Sequence, residues 1–328
     1  MQIQKMKLEN KYSVLIIGLG NIGMKYDFDD NSNKKLLSHA KSFYSHKMFE
    51  LTGGVDLNKK NREEFTKKYK CEAFENIKET ELKINPDIII VSTPTIKHYE
   101  NIKEIVNIFR PKIVICEKPI SYNLIEAKEI VELCNLKNIK LYVNYFRRTL
   151  PGNLKILSFI NSKVFEVPFN GFCIYSKGLF NSASHFIDLF QFFFGKVIDI
   201  KLISKNKIKQ DPEPDFKLEF SKGTITFISN QNNSIFINYA DIILQNGKLT
   251  FDNSGSEVLW RTVQKDDRFK GYNIIGNDSQ EFKNDFNRIQ KYFTEQIYLA
   301  INNKENYLCT GQDALKTQNI LEKIKLKL

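Results

Sequence analysis

The sequence Tyr-Ser-Val-Leu-Ile-Ile-Gly-Leu-Gly-Asn-Ile-Gly at residues 12–23 joins an apolar run to a glycine-rich turn. The run predicts a buried strand, and Gly18, Gly20 and Gly23 supply the G-x-G-x-x-G spacing, with Asn21 and Ile22 between the last two. Such glycines suit a tight turn, close approach of the backbone to a pyrophosphate and close packing of the next helix. The N-terminus of that helix then faces the phosphates. The stretch therefore predicts a dinucleotide-binding turn.

The chain up to residue 146 alternates short apolar runs with amphipathic stretches. The runs are Tyr12–Ile17, Leu51–Val55, Ile88–Val91, Ile113–Cys116 and Leu141–Val143. Each is continuous, as expected for strands that are buried on both faces of a parallel sheet. Between them, one helical stripe is formed by Leu124, Ala127, Val131 and Cys134, with Ser121 as its cap. We predict an α/β fold that begins with a Rossmann domain, a doubly wound parallel sheet, over residues 1–146.

Residues 147–328 have a different pattern, which predicts a second domain for substrate binding and oligomerisation. Strand-like segments follow closely at 164–175, 197–204, 215–220, 223–229 and 234–244, which favours an open, largely antiparallel sheet. One helix is expected from Ala183 to Phe194, ended by Gly195. Residues 252–280 are expected to form a long loop. Two amphipathic helices close the chain, the first striped by Phe282, Phe286, Ile289, Phe293 and Ile297, the second by Ala314, Thr317, Leu321 and Ile324.

Length and composition limit the class of protein. The 328 residues, 42% of them apolar, suit about two globular domains. Five scattered cysteines without a C-x-x-C pair indicate neither disulfides nor a zinc site, and we expect no metal and a reducing, cytoplasmic setting. No apolar run is long enough for a membrane span or a secretory signal. The net charge of +11 comes from dispersed lysines, which favours a solvated surface over nucleic-acid binding.

Polar residues that follow the predicted strands are candidates for cofactor binding. Asp56, after Leu51–Val55, would accept hydrogen bonds from the adenosine ribose and repel a 2′-phosphate, which favours NAD over NADP. Its separation from Gly18 exceeds the usual spacing, so residues 27–39 are interpreted as an inserted loop. Lys59 and Lys60 follow closely and would tolerate a phosphate. Thr93 and Pro94 follow the fourth strand and are placed at the cofactor, whereas His98 is interpreted as the start of a helix.

Glu117-Lys118-Pro119 follows the fifth strand and makes a family resemblance specific. The glycine turn, Ser92-Thr93-Pro94 with a nearby histidine, Glu-Lys-Pro and the later Ser-His-Phe-Ile-Asp-Leu at 184–189 together resemble the Gfo/Idh/MocA oxidoreductases. The resemblance implies nicotinamide-dependent redox chemistry on sugars or polyols. It also implies that Glu117 and Lys118 lie at the cofactor, with Lys118 beside the nicotinamide and the reacting carbinol.

The segment Asn181–Asp188 resembles the family's second-domain signature, commonly D-x-G-x-H-x-x-D. His185 takes the histidine position and is the candidate acid-base group, with Asp188 one turn later to orient it. An ammonium such as that of Lys118 would stabilise a developing alkoxide. Asn181 stands where many members have aspartate, and Ala183 replaces a glycine. An amide cannot relay a proton, although Asn181 can still bind a substrate hydroxyl.

The remaining candidates are substrate residues. The resemblance places Asn144, Arg147 and Arg148 at a cleft, where one arginine would hold an anionic group and the other would be only a surface charge. Tyr175 and Lys177 are expected to face the same cleft. We therefore expect an NAD-dependent dehydrogenase that acts on a nucleotide-linked or otherwise anionic sugar, as a homodimer or homotetramer. Alternatives are a free polyol or inositol dehydrogenase and a redox-inactive NAD-binding regulatory protein.

Overall fold

The computed structural model describes residues 11–206, 211–232 and 234–328, and these form two compact units. The first holds the described residues up to Glu117, together with Lys128–Asn144 and Asn287–Thr310. The second holds Lys118–Ala127, Tyr145–Phe286 and Gly311–Leu328. This division differs from the predicted boundary between residues 146 and 147 chiefly in Asn287–Thr310, which lies in the first unit.

The first unit contains a seven-stranded sheet, and its fold is the predicted Rossmann fold. The strands are β1 (Tyr12–Ile17), β2 (Phe49–Val55), β3 (Ala73–Phe74), β4 (Ile88–Val91), β5 (Ile113–Cys116), β6 (Lys140–Val143) and β15 (Cys309–Thr310). Their order is β15-β6-β5-β4-β1-β2-β3, and all neighbours are parallel except β15 and β6. Its helical segments are α1 (His39–Ser45), α2 (Lys59–Tyr69), α3 (His98–Ile108), most of α4 (Leu124–Leu136) and α7 (Ile289–Ile301).

Helix α7 explains why Asn287–Thr310 belongs to the first unit. Phe293 and Ile297 are buried in the core of that unit, and β15 adds Cys309 opposite Val143 at the edge of its sheet. The amphipathic stripe predicted a helix correctly, but a stripe does not identify the core that it packs against. The predicted start of the stripe was wrong, because Phe282 lies in a strand and α7 begins at Ile289.

The glycine-rich turn is followed by a split helix. Only a short 3-10 turn, Lys25–Asp27, comes directly after the glycines, so the expected continuous helix is absent there. Helix α1 begins later, but its first amides donate to the glycine turn, from His39 N to Ile22 O at 2.9 Å and from Ala40 N to Gly23 O at 2.9 Å. The buried carboxylate of Asp27 accepts from Leu37 N at 2.6 Å and closes the intervening loop. The predicted insertion at 27–39 is thus a loop that interrupts one helix.

The second unit contains an eight-stranded, largely antiparallel sheet, as predicted. The strands are β7 (Phe169–Tyr175), β8 (Val197–Ser204), β9 (Asp215–Phe220), β10 (Gly223–Ser229), β11 (Tyr239–Leu244), β12 (Gly247–Asp252), β13 (Glu257–Lys265) and β14 (Asn273–Lys283). Their order is β14-β13-β12-β11-β7-β10-β9-β8, and only β7 and β10 pair in parallel. The predicted loop at 252–280 was wrong, because most of it forms β13 and β14, which pair with Val258 opposite Phe282.

Helices pack against this sheet to form the core of the second unit. They are α5 (Pro151–Asn161), α6 (Ser184–Phe194) and α8 (Gly311–Lys325). The core joins Phe186, Phe190, Phe227 and Leu321. On the opposite side of β10 and β11, Ile228 and Ile243 are exposed, since side chains alternate along a strand. Among the helices of the described residues, none is long and apolar enough to cross a membrane.

Two helix starts differ from prediction. Helix α6 follows a π-helical turn, Leu179–Ala183, and therefore begins at Ser184 rather than Ala183. At α4, the amide of Ile125 donates to Asn123 Oδ1 at 2.8 Å, so Asn123 caps the helix. Ser121 instead accepts from Asn123 N at 3.0 Å, one step earlier in the turn.

Candidate active site

The glycine-rich turn of the first unit provides room for a ligand at one glycine only. Gly18 has a φ of +94°, and a Cβ there would lie 2.7 Å from the backbone of Ser92. A Cβ at Gly23 would lie 2.0 Å from Gly18 O, so both positions need glycine for the fold itself. A Cβ at Gly20 would have no atom of the described residues within 4 Å. The open space at Gly20 is what a turn needs if its backbone is to approach a phosphate closely.

Asp56 lies at the end of β2 and contacts the same turn. Its carboxylate accepts from Leu19 N at 2.7 Å, from Asn58 N at 2.8 Å and from Asn61 Nδ2 at 3.2 Å. A carboxylate offers about four lone-pair sites, so a ribose hydroxyl can still donate to it. Asp56 therefore links the glycine turn to the start of α2, a role that the sequence did not reveal. It can still accept a hydrogen bond from a ribose hydroxyl, which is the predicted role.

Thr93 and Pro94 follow β4 and are held by α3. Thr93 Oγ1 accepts from Asn101 Nδ2 at 2.8 Å, and its carbonyl lies 2.9 Å from the Nε2 atom of His98. His98 is fully buried and is the first residue of α3, as predicted. Its ring braces the turn that carries Thr93.

Glu117, at the end of β5, is the centre of a polar cluster in the first unit. Its Oε1 atom lies 2.7 Å from His39 Nε2 and 2.6 Å from Asn144 Nδ2. His39 and Asn144 are both buried, and within the described part of the chain His39 Nδ1 and Asn144 Oδ1 have no hydrogen-bond partner. The resemblance placed Asn144 at the substrate, whereas the structure directs its amide nitrogen to Glu117. His39 was missed, because in the sequence it ends what looks like a polar insertion.

In the second unit, Lys118 and Asn181 lie together although they are far apart in the chain. Lys118 Nζ donates to Asn181 O at 2.5 Å and to Asn181 Oδ1 at 3.1 Å. The Asn181 amide nitrogen donates to Lys177 O at 3.2 Å. The side chain of Asn181 thus holds the ammonium group of Lys118 in place.

His185 occupies a mostly apolar pocket near these cations. Its side chain lies edge-on to Tyr145 and Phe146, with ring centroids 5.7 and 5.2 Å away. Burial holds the pKa of His185 well below its usual value, and the positive charges of Lys118 and Arg147 lower it further. His185 is therefore a neutral imidazole at physiological pH. A neutral imidazole can accept a proton directly.

Asp188 does not orient His185, which corrects the prediction. Its carboxylate accepts from Arg148 Nε at 2.8 Å and from Arg148 Nη2 at 2.7 Å. His185 Nδ1 has no hydrogen-bond partner among the residues that the structure describes. Arg148 also reaches Asp313 at 3.2 Å, so it is engaged by two carboxylates. The Arg148–Asp188 pair joins α6 to the chain segment before α5 and stabilises the fold.

Arg147 is buried as well, at 5% exposure, so the expectation that one arginine is a surface charge was wrong. Its Nη2 atom donates to Ser254 O at 3.0 Å, and no described residue forms a hydrogen bond with its Nε atom. Burial lowers the pKa of Arg147 to about 10. The guanidinium lies over three rings, those of Phe146, Phe186 and Phe286. Arg147 is thus a buried cation packed against aromatic rings, whereas Arg148 is paired with carboxylates.

Two further predicted substrate residues have different surroundings. Tyr175 is fully buried, donates to Pro214 O at 2.5 Å and packs on Phe216, so it is a core residue and its prediction was wrong. Its burial followed from the strand alternation of β7. Lys177 is exposed, and its ammonium lies 5.7 Å from the ring centroid of Phe236.

Asp211 is a site residue that sequence reasoning missed. Its carboxylate accepts from Phe180 N at 2.9 Å and from Asn181 N at 2.9 Å. Burial raises the pKa of Asp211, while those backbone donors and the charge of Lys118 oppose the rise. In the sequence Asp211 stands in a proline-rich turn between strands, a position that carries no signal for a contact with Asn181.

The comparisons with known proteins define the class of protein. Residues 12–145 match the model of an oxidoreductase family with an NAD-binding Rossmann fold. The first unit is therefore an NAD-binding Rossmann domain of the kind found in that oxidoreductase family, as predicted. That domain belongs to the Gfo/Idh/MocA family, and the predicted family is confirmed. The search of curated protein sequences found no match.

Solved structures extend the likeness to nearly the whole chain. A protein from Desulfitobacterium hafniense, provisionally classed as an NADPH-dependent oxidoreductase, is 18% identical with a TM-score of 0.78, covering 97% of this chain and 96% of its own. The WlbA dehydrogenase from Bordetella pertussis, solved with NADH and UDP-GlcNAcA, is 13% identical with a TM-score of 0.75, covering 97% and 95%. UDP-N-acetylglucosamine 3-dehydrogenase GnnA from Acidithiobacillus ferrooxidans is 12% identical with a TM-score of 0.70, covering 97% and 98%. At these identities the likeness establishes the fold of both domains.

Proposed function

We propose that this protein is an NAD-dependent dehydrogenase of a CH–OH group in an anionic, nucleotide-linked sugar. The observation that carries the proposal is the group of Lys118, Asn181 and a neutral His185 in one unit of a chain whose other unit is an NAD-binding domain. Two of the structurally similar proteins, WlbA in complex with UDP-GlcNAcA and the UDP-N-acetylglucosamine 3-dehydrogenase GnnA, support the substrate class.

The first unit fits the cofactor. The open space at Gly20 suits the pyrophosphate, with the backbone of Asn21 and Ile22 beside it, and the remaining capacity of Asp56 suits the ribose. Thr93, Pro94 and Glu117 end neighbouring strands at the edge where ligands bind in such sheets. Bound NAD supplies the carbon that accepts or returns the hydride. A carboxylate at Asp56 favours NAD over NADP, because it repels a 2′-phosphate.

The second unit supplies the proton chemistry in this proposal. His185 accepts the hydroxyl proton, since its imidazole is neutral and buried among aromatic rings. Lys118 donates a hydrogen bond to the oxygen that becomes negative, because an ammonium stabilises a developing alkoxide. Asn181 fixes the ammonium through its side-chain and main-chain oxygens.

Arg147 supports an anionic substrate. Among the described residues its guanidinium donates to the neutral Ser254 carbonyl, whereas Arg148 is already engaged by Asp188 and Asp313. A buried cation without a carboxylate favours the binding of an anion. We infer that Arg147 attracts the charged group of the substrate.

A second candidate is a redox-inactive NAD-binding protein. The amide at Asn181, in place of the aspartate that the resemblance leads one to expect, favours it.

The proposed dehydrogenase activity is tested by the oxidation of UDP-sugars, followed as NADH absorbance, with Lys118→Met and His185→Asn as variants. We expect each to lower turnover by about 10²–10⁴-fold with NAD binding unchanged. Lys201→Met, which removes an exposed lysine paired with Glu219, is the control.

A His185→Asn variant that works at the wild-type rate would show that the acid-base group lies elsewhere. Firm NAD binding without turnover of any sugar would instead favour the redox-inactive protein. Turnover of free polyols in preference to UDP-sugars would contradict the proposal that the substrate is an anionic sugar.

We also propose that a second copy of the chain covers the open face of the second unit's sheet. Ile228 and Ile243 are 40% and 52% exposed there, between strands that are otherwise well packed. An exposed apolar face can pair with the same face of a second copy, as in a dimer or a tetramer. Light scattering at micromolar concentration tests it, and Ile243→Asp should shift the mass toward that of the monomer. A monomeric wild type would contradict the proposal.

A further inference from the structure

We propose that Asp211 is a positioning residue for Lys118, which it acts on through Asn181. The inference rests on the proposed function, in which Lys118 stabilises the reacting oxygen. Asp211 would supply the negative charge that an aspartate at position 181 would otherwise provide.

The contacts form a continuous path from carboxylate to ammonium. Asp211 Oδ2 accepts from Asn181 N at 2.9 Å, and the oxygens of the same Asn181 accept from Lys118 Nζ at 2.5 and 3.1 Å. The carboxylate lies directly against Gly178, where a Cβ would be 2.1 Å from Oδ2. Gly178 has a φ of +97°, so both its conformation and its missing side chain admit Asp211. The turn at Gly178 therefore leaves room for the Asp211 carboxylate.

The charges around the site indicate that the Asp211 carboxylate does more than hold the turn before α6. Lys118 and Arg147 are the two cations whose charges bear on His185. Lys118 in turn is one of the groups that act on Asp211, and its charge favours the ionised carboxylate. By the same interaction, an ionised Asp211 favours the protonated ammonium of Lys118. Without the negative charge of Asp211, the positive charges of Lys118 and Arg147 that act on His185 would be less compensated.

The turn itself is held by more than Asp211. Leu179 N donates to Pro212 O at 2.9 Å, and Gly178 N donates to Glu213 Oε1 at 3.1 Å. Three consecutive residues therefore fasten the turn before α6, and Asp211 is the one bonded to the amide of Asn181. Glu213→Gln is accordingly a matched control, since it neutralises a carboxylate that binds the same turn.

The first readout is independent of turnover. Trace acylation with acetic anhydride, read by mass spectrometry of the peptide that contains Lys118, reports the fraction of neutral amine. In Asp211→Asn we expect Lys118 to react several-fold faster than in the wild type at pH 8, because the ammonium has lost a nearby negative charge. Glu213→Gln should leave the labelling rate unchanged. Equal labelling in the wild type and Asp211→Asn, or the same increase in both variants, would overturn the inference.

The second readout uses the reaction. We expect Asp211→Asn to lower kcat by at least tenfold, to leave the KM for NAD unchanged and to move the alkaline limb of the kcat profile to lower pH. Asn181→Asp combined with Asp211→Asn should restore part of kcat, since it returns a carboxylate to Lys118. A wild-type kcat and pH profile in Asp211→Asn would overturn the inference. Absence of turnover in the wild type would count against the proposed function alone, because the labelling test would still decide the role of Asp211.

Discussion

Arg148 and Asp188 form a bidentate ion pair inside the second unit, with Nε–Oδ2 and Nη2–Oδ1 distances of 2.8 and 2.7 Å. Asp188 is fully buried and Arg148 is 6% exposed, so neither charge is solvated by water. Asp188 is one helical turn from His185, the position of an orienting carboxylate, yet it is committed to the arginine. On this helix Asp188 stabilises the fold, whereas the proton chemistry that we propose falls to His185.

This pair predicts a large loss of stability in Arg148→Met. Removing the guanidinium leaves Asp188 as a buried charge without its bidentate partner, which should lower the free energy of unfolding by about 3–5 kcal/mol. Urea denaturation measures the change. Lys201→Met removes an exposed ion pair with Glu219 and should change stability little. Equal midpoints for the two variants would show that the buried pair does not stabilise the fold.

The pKa of His185 predicts an acid-dependent loss of stability. The unfolded chain binds a proton at this residue below about pH 6.5, whereas the folded protein does so only at lower pH. Between those two pKa values the free energy of unfolding should fall by at most about 1.4 kcal/mol for each pH unit toward acid. His185→Asn should show a shallower fall between pH 7 and pH 5. The slopes are compared, since the substitution also changes stability at every pH, and equal slopes would contradict the lowered pKa.

Two glycines of the first turn should respond differently to alanine. Gly23→Ala places a methyl group on Gly18 O and should lower the melting temperature as well as NAD binding. Gly20→Ala meets no protein atom within 4 Å, so the protein should melt near the wild-type temperature. Its methyl group would nevertheless occupy the space for the pyrophosphate and weaken NAD binding. Normal NAD affinity in Gly20→Ala, by fluorescence titration, would place the dinucleotide elsewhere.

Asp56 predicts the choice of dinucleotide. The wild type should bind NAD(H) at least about tenfold more tightly than NADP(H), a difference of about 1.4 kcal/mol. Asp56→Asn keeps an oxygen that can accept from Leu19 N but removes the charge, so the preference should narrow while the turn stays in place. Titration of both nucleotides against both proteins measures this. Equal affinities in the wild type would contradict the role of Asp56.

The sequence was most informative where burial is continuous. The strands Tyr12–Ile17, Ile88–Val91 and Ile113–Cys116 coincide with prediction, because a strand buried on both faces needs an unbroken apolar run. Strands β13 and β14 were not predicted, since most of their residues are polar and few, such as Val258 and Trp260, are buried. With so few buried positions, the alternating pattern of these two strands is hard to distinguish from the sequence of a loop.

Motifs located Lys118, Asn181 and His185, because their spacing lies within single short segments. His39 and Asp211 were not predicted, since each reaches its partner across a loop. His39 contacts Glu117 only because the split helix returns to the glycine turn, and Asp211 contacts Asn181 only because a turn between strands folds over Gly178. Neither distance is encoded by local periodicity. Such contacts depend on the path of the chain in three dimensions.

The split helix after the glycine turn has a consequence for how this domain tolerates change. His39 and Ala40 donate to the carbonyls that residues 26 and 27 would use in an uninterrupted helix. The carbonyls of Ile22 and Gly23 therefore have hydrogen-bond partners when the chain returns, although Tyr26 N already donates to Asn21 O, one residue further along the chain than in an α-helix. We therefore expect this junction to accept a segment of another length, provided that Asp27 is still paired and the returning helix still supplies amides to Ile22 O and Gly23 O.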